Sequence, residues 1–349
     1  MKVLITGGAG FLGLHLVQHF HKKKAKITLY DIDEYDTSEY PKGVKCLAGD
    51  IRDYDTLKAA MKGHDVIVHA AAALPLWKKE DIMTTTIDGT RNVLEAALEN
   101  KIKRVVFVSS TAVYGIPKKH PILEEDDYHG VGPYGIAKIE AEKICIDYRE
   151  KHKGFTVPII RPKTFIGTHR LGVFQILFDW VESGVKIPIF GNGKNRYQLL
   201  DVRDLADSIY LAATKPANKA NDTFNCGAEE FTTVREDVGA LCNHAGTGSR
   251  PMGVPSAPLK AALTVFEAVN LSPLYKWVYG TADKDSFVSV EKLKTQLGWK
   301  PQYSNAQALI NSYDWYLNNK PEDVSDAASG VTHRVPWKQG ILRVFKKFL

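Results

Sequence analysis

Tyr134 and Lys138 stand four residues apart in the run YGIAK, a spacing that puts both on one face of a helix. A tyrosine titrates near about pH 10, so it serves as a base at neutral pH only with a cation close by. Lys138 is such a cation, and Tyr134 could then take the proton of an alcohol as hydride leaves its carbon. Ser110 ends the apolar run of VFVSSTAVYG, where its hydroxyl could hydrogen-bond the same oxygen, and Thr111 is a second hydroxyl within reach. The chemistry these residues suit is hydride transfer at a secondary alcohol or ketone.

Hydride needs an acceptor, and the first residues supply a place for one. TGGAGFLG sets Gly7, Gly10 and Gly13 between a strand (Lys2 to Ile5) and a helix (Phe11 to Lys22). Glycine permits the tight turn and lets a pyrophosphate approach the backbone, while the first N–H groups of the helix, at Phe11, Leu12 and Gly13, face it. Asp31 follows the second strand in ITLYDID, placed to accept from the adenosine ribose hydroxyls. Its carboxylate would repel a 2′-phosphate and no arginine immediately follows it, so NAD is expected over NADP. AGDIRD puts Asp50 and Ile51 at the border of an adenine, and Ala70, Ala71 and Ala72 after the fourth strand leave room for the cofactor to cross the sheet edge. His69 reads better as a buried, hydrogen-bonded strand-end histidine than as a catalytic one.

These residues need a scaffold, and the pattern provides one. Apolar runs at 44–48, 66–72, 104–110 and 156–162 alternate with helical stretches at 54–61, 81–98 and 134–151. Unbroken Val/Ile-rich strands alternating with helices imply an α/β fold with a Rossmann-type, doubly wound parallel sheet. Residues 1–167 are expected to form this domain, with some later elements returning to it. Residues 168–320, where Pro, Gly and Asn punctuate helices at 173–183, 203–214 and 305–317, are expected to form mainly a smaller substrate lobe. Residues 321–349 form a basic tail.

The 349 residues are 44% hydrophobic and 25% charged, with a net charge of +6. Arg334, Lys338, Arg343, Lys346 and Lys347 lie in the tail beyond Ala327 with no acid among them, so the body is nearly neutral and a nucleic-acid partner is not expected. Cys46, Cys145, Cys226 and Cys242 form no CxxC pair, which argues against a zinc site and a disulfide framework. With neither a leader nor an apolar run of about 18 residues, a cytoplasmic protein is expected. In GILRVFKKFL, apolar Ile341, Leu342, Phe345, Phe348 and Leu349 face away from Arg343, Lys346 and Lys347, with Trp337 preceding. Such an end suits weak contact with an anionic membrane surface, or docking on the protein itself.

TGxxGxxG, Asp31, Ser110, Tyr134–Lys138 and RPKTFIG (Arg161 to Gly167) together resemble the extended short-chain dehydrogenase/reductase family, in its epimerase/dehydratase and 3β-hydroxysteroid dehydrogenase branches. The resemblance implies Ser110 as donor, Tyr134 as base, Lys138 as cofactor and proton-relay residue, Pro162 beside the cofactor, and a homodimer. One departure is Thr86, where the family usually has an asparagine three residues before Gly89 of its helix. The dehydratase branch carries an acidic pair where Thr111 and Ala112 stand. Nucleotide-sugar 4-epimerases place a phosphate-binding arginine five residues before the valine of V-x-D; here that register gives Tyr197, with Arg196 one position off. GNGKN (Gly191 to Asn195) and the apolar stretch Val254 to Gly280, with Leu259, Leu263, Phe266, Val269 and Leu271, look more like the sterol branch. Thr111, Thr164 and Tyr197 are the candidate substrate residues. The expected substrate is hydrophobic, sterol- or isoprenoid-like; the alternative is a nucleotide- or polyprenyl-linked sugar undergoing 4-epimerisation.

Overall fold

The computed structural model describes residues 1–75, 77–169, 172–268, 280–320 and 346, and the side chains of these except 265–268. The chain divides into two compact units. The first comprises Met1–Lys163, Val202–Gly227 and Val288–Pro301; the second comprises Thr164–Asp201, Ala228–Phe287 and Gln302–Leu349.

In the first unit the strands are β1 (Lys2–Thr6), β2 (Lys26–Asp31), β3 (Lys45–Ala48), β4 (Val66–His69), β5 (Val105–Val108), β6 (Ile159–Pro162) and β7 (Thr223–Cys226). They form a seven-stranded sheet in the order β7-β6-β5-β4-β1-β2-β3. Every pairing is parallel, with Val3 opposite Val66, Ile67 opposite Val105 and Phe107 opposite Ile159. This is the Rossmann-type sheet, and β4 and β5 are buried along their whole length, as strands covered on both faces must be. The unit's helices include α1 (Phe11–Lys22), α2 (Tyr54–Met61), α3 (Lys79–Met83), α4 (Gly89–Glu99), α5 (Gly132–Lys151), α6 (Val202–Thr214) and α7 (Glu291–Leu297). α2 packs on α4 and α4 on α5, closing a core of Leu57, Met61, Val93, Leu94 and Ala141 against Ile67, Val105 and Phe107.

Two features add to the sequence pattern, the second by naming which later elements return to the first domain. The stretch expected as one helix over 81–98 has a π-helical turn at Thr84–Asp88 between α3 and α4. Three successive threonines favour a break: Thr84 Oγ1 donates to the Glu80 carbonyl at 3.0 Å and Thr90 Oγ1 to the Thr86 carbonyl at 2.5 Å. Second, Val202–Gly227 and Val288–Pro301 belong with the first unit, outside the contiguous span of residues 1–167. β7 pairs with β6 and extends the sheet, α6 packs on α1, and the Trp299 indole donates to the Asp204 carbonyl at 3.0 Å.

The second unit gathers helices Gly172–Glu182, Val234–Ala245 and Asn305–Asn319 around Ile166, Phe178, Leu241, Leu309 and Tyr313. Capping boxes start two of these helices, Thr233 with Glu236 and Ser304 with Gln307. Phe165–Ile166 pairs with Leu200–Asp201, and Ile187–Phe190 with Pro251–Val254. The apolar stretch begins as helix Ser256–Ala268, in which Leu263 is buried; Val269 and Leu271 lie outside the described residues. The tail also lies outside them except Lys346, whose ammonium pairs with Asp179 at 2.6 Å. Among the described residues no helix is long and apolar enough to cross a membrane.

Candidate active site

The turn between β1 and α1 leaves no room for a side chain at Gly7 or Gly13. Gly7 has φ +74°, and a Cβ there would lie 2.7 Å from the Ala71 amide nitrogen. A Cβ on Gly13 would lie 2.4 Å from the Gly8 carbonyl oxygen. α1 starts at N-cap Gly10 with no side-chain cap and no acid in its first turn. Its first N–H groups, at Phe11, Leu12 and Gly13, thus meet no side-chain cap from Gly10 and no acid of their own turn, which suits a pyrophosphate.

Asp31 at the end of β2 leans over this turn. Its carboxylate accepts from the Ala9 N–H at 2.9 Å and from the Asp33 N–H at 3.2 Å. Burial pushes its carboxyl up, and the Ala9 hydrogen bond pulls it back. Tyr40 closes the same corner, donating from its hydroxyl to the Gly8 carbonyl at 3.3 Å. Asp50 is held by Arg52, whose Nη2 lies 2.7 Å from it, while Ile51 is buried against Gly89. Ala70, Ala71 and Ala72 are partly exposed beside the turn, with the Ala71 N–H bonded to Thr6 Oγ1 at 3.3 Å. These residues fit NAD: a backbone cradle for its diphosphate, a carboxylate for its ribose and small side chains at the sheet edge.

At the carboxyl ends of β5 and β6 lies the second half of the site. Ser110 is extended, and its Oγ accepts from the Ala112 N–H at 3.1 Å. Tyr134 sits in the first turn of α5, against Ala73, Ile82 and Ala137 with Trp77, Met83 and Ile87 around them. Burial pushes its phenol up, and a hydrogen bond with Ser110 pulls it down. Lys138 is 2% exposed; its ammonium donates to the Val108 carbonyl at 2.9 Å and lies 5.9 Å from the Tyr134 ring centre. Burial lowers the Lys138 amine to about 8, while Glu142 opposes that fall. Ser110, Tyr134 and Lys138 therefore converge, and the Ser110 hydrogen bond eases Tyr134 toward its phenolate. Thr111 donates to the Pro162 carbonyl at 3.3 Å, which ties the β5 exit to the end of β6.

His69 is not part of this chemistry. Its Nδ1 lies 2.8 Å from Thr6 Oγ1 and its Nε2 3.1 Å from Thr90 Oγ1, so both ring nitrogens are committed. Thr86 is buried in the π-helical turn, its carbonyl bonded to Thr90.

In the second unit Thr164 and Tyr197 are brought together, their hydroxyls 3.3 Å apart. Arg196 is extended in the opposite direction: it is exposed, with its guanidinium 4.1 Å from the Phe287 ring centre. Neighbouring residues of an extended segment face opposite ways, so Arg196 does not replace the arginine missing at 197.

Sequence reasoning passed over Glu142, which is fully buried eight residues beyond Tyr134 and four beyond Lys138. Those intervals keep it on the same face of α5 and were the available signal.

The model of the NAD dependent epimerase/dehydratase family matches residues 3–227. The chain belongs to this family. Its members' cofactor is NAD, and the chain is an enzyme of the extended short-chain dehydrogenase/reductase type. Protein y4nG of Sinorhizobium fredii, itself uncharacterised, is 35% identical over 97% of this chain and 84% of its own. A UDP-N-acetyl-alpha-D-glucosaminuronate decarboxylase of Bacillus cytotoxicus is 28% identical over 90% of this chain and 97% of its own. A UDP-glucose 4-epimerase of Lactobacillus helveticus is 27% identical over 91% and 98%. Among solved structures, a UDP-glucose 4-epimerase of Thermotoga maritima superposes with a TM-score of 0.75 at 23% identity, covering 91% of this chain and 99% of its own, a likeness of fold.

Proposed function

We propose that this family member is a sugar 4-epimerase acting on a nucleotide- or polyprenyl-linked sugar, oxidising and re-reducing one carbinol carbon without net change in its cofactor. The observation that carries this reading is the convergence of Ser110, Tyr134 and Lys138 at the carboxyl ends of β5 and β6. The decarboxylase and the 4-epimerase named above act on nucleotide sugars, which supports a sugar over the sterol-like substrate that GNGKN suggested. Thr111 and Ala112 supply no acid beside Ser110, so the elimination of a dehydratase lacks its proton donor.

NAD, held by Gly7 to Gly13 and Asp31, supplies the hydride acceptor. Tyr134 takes the proton from the sugar hydroxyl and returns it to the oxygen after the carbonyl has been reduced from its other face. Ser110 donates to the same oxygen, holding it in register while charge moves through it. Lys138 places a positive charge behind Tyr134, which favours the phenolate that must form. Tyr197 with Thr164 offers a neutral, hydrogen-bonding surface where an arginine would grip a diphosphate. That neutrality supports a lipid-linked sugar as strongly as a nucleotide-linked one.

The test is to denature the purified protein, count NAD(H) per chain, and follow C4 configuration by NMR with UDP-glucose, UDP-N-acetylglucosamine and a polyprenyl-diphosphate sugar. Near-stoichiometric cofactor with inversion at C4 is the expected result. Accumulation of NADH with sterol or isoprenoid alcohols and no inversion would return the reading to a dehydrogenase.

A further inference from the structure

One turn beyond Lys138 on α5 lies a buried ion pair that the hydride and proton transfers do not use. The side chains of Arg161 on β6 and Glu142 on α5 are 3% and 0% exposed, with Nη2 of Arg161 2.6 Å from a Glu142 carboxylate oxygen. Arg161 Nε donates to both carboxylate oxygens, at 2.9 and 3.1 Å. Glu142 also accepts from the hydroxyls of Ser109 and, at 2.7 Å, Tyr128. Arg161 further donates to the Tyr114 hydroxyl at 2.5 Å, the Glu124 carbonyl at 2.9 Å and the Tyr128 hydroxyl at 2.8 Å. Burial alone would push the guanidinium down, but Glu142 outweighs it and raises Arg161 above its ordinary value.

The partners share one property. Ser109, Tyr114, Glu124 and Tyr128 all belong to the segment that leaves β5 and enters α5, which is the segment joining Ser110 to Tyr134. Its shape is therefore pinned at four points to a single ion pair, and Tyr114 extends the bracing to Asn225 on β7 at 2.8 Å. A buried ion pair gives little net stability compared with apolar side chains of the same volume, so stability alone does not account for it.

Glu142 also stands one helical turn from Lys138. The groups that face the Lys138 amine are Tyr134, Glu142 and Cys145 from α5, His69 from β4, and the Val108 carbonyl and Phe107 ring from β5. His69 is held neutral by its burial and the Cys145 thiol is pushed well above its ordinary value by its own. Glu142 is the anion of this set.

We infer that Glu142 and Arg161 are positioning residues of the catalytic set: Glu142 holds Lys138 as an ammonium, and the pair together fixes the segment that brings Ser110 to Tyr134. The inference rests on the proposed function only in taking Ser110, Tyr134 and Lys138 as the reacting residues. It accounts for a buried charge pair one helical turn from a lysine whose amine burial lowers.

The test titrates Lys138 in the NAD-loaded full chain labelled with ¹⁵N at lysine Nζ, the resonance being assigned by its loss in Lys138→Met. Glu142→Gln is expected to move the Lys138 midpoint down by about one pH unit or more, with Glu142→Asp recovering most of the shift. Turnover at pH 7 should fall by about twofold or more in the Gln variant, with the loss growing as pH rises toward 8. If Glu142→Gln does not fold because Arg161 is left unpaired, Glu142→Gln with Arg161→Gln removes both charges, and the same downward shift is expected. A folded variant of either kind whose Lys138 titrates at the wild-type pH overturns the inference. The titration needs no substrate, so it decides this matter even if C4 inversion is never found.

Discussion

Thr164 and Tyr197 share a hydroxyl–hydroxyl contact of 3.3 Å at the register where a nucleotide-sugar epimerase carries an arginine. A phenol at this place offers one hydrogen bond and no charge, whereas a guanidinium would offer a bidentate grip on a diphosphate. Tyr197→Arg is therefore expected to lower KM for UDP-sugars about tenfold with little change in kcat, read by steady-state kinetics. An unchanged KM would mean that the diphosphate does not reach Tyr197.

Tyr134→Phe removes the hydroxyl proposed to exchange the proton and leaves the ring packed on Ala73, Ile82 and Ala137. Turnover is expected to fall by about 10²–10⁴-fold while NAD content stays at the wild-type level. Ser110→Ala should lose less, because water can replace part of its donor role, and a Tyr134→Phe protein with full activity would remove Tyr134 from the mechanism.

Gly7→Ala places a Cβ 2.7 Å from the Ala71 amide at φ +74°, where no flexible neighbour can retreat. Strain of this kind costs about 1–3 kcal/mol. The expected outcome is a lower melting temperature together with a chain purified without cofactor, checked by calorimetry and by assaying released NAD(H).

Much of this was legible because it is local. The bounds of α1 and α2 coincide with the sequence expectation, since a glycine turn or an aspartate cap fixes each start and an apolar stripe fixes each buried face. Ser110, Tyr134 and Lys138 were legible from strand end and helix interval. The return of residues 223–226 to the sheet was not, because the pairing of Thr223 with Ile159 spans a separation no window reads. Glu142 was missed for a related reason. A glutamate in a helix reads as solvated, and its burial becomes intelligible only with Arg161, Ser109 and Tyr128 in place.

Burial and its two threonine partners make His69 a pH-dependent element of stability. Burial pushes its imidazole down to about 3, with Lys138 adding to the fall. An unfolded histidine titrates near about 6.5, so the unfolded chain takes up a proton that the folded chain refuses. The contribution of His69 is thus complete above pH 6.5 and is lost progressively as pH falls toward 3. His69→Gln should flatten the melting temperature against pH between about 6 and 4 relative to wild type. An identical slope in both proteins would exclude His69 as its source.

Lys163, at the exit of β6, works in the opposite range. It is 4% exposed, and burial lowers its amine to about 7 against an ordinary 10.5. The folded chain releases this proton earlier than the unfolded one, so stability rises with pH between about 7 and 10.5. The burden is full at and below pH 7 and gone above pH 10.5. Lys163→Met keeps the length of the stem and removes the amine, so its melting temperature relative to wild type should be highest at pH 6–7. That difference should fall as pH rises toward 10. A gain that does not depend on pH would show that packing of the stem, and not the charge of the amine, sets the cost of burying Lys163.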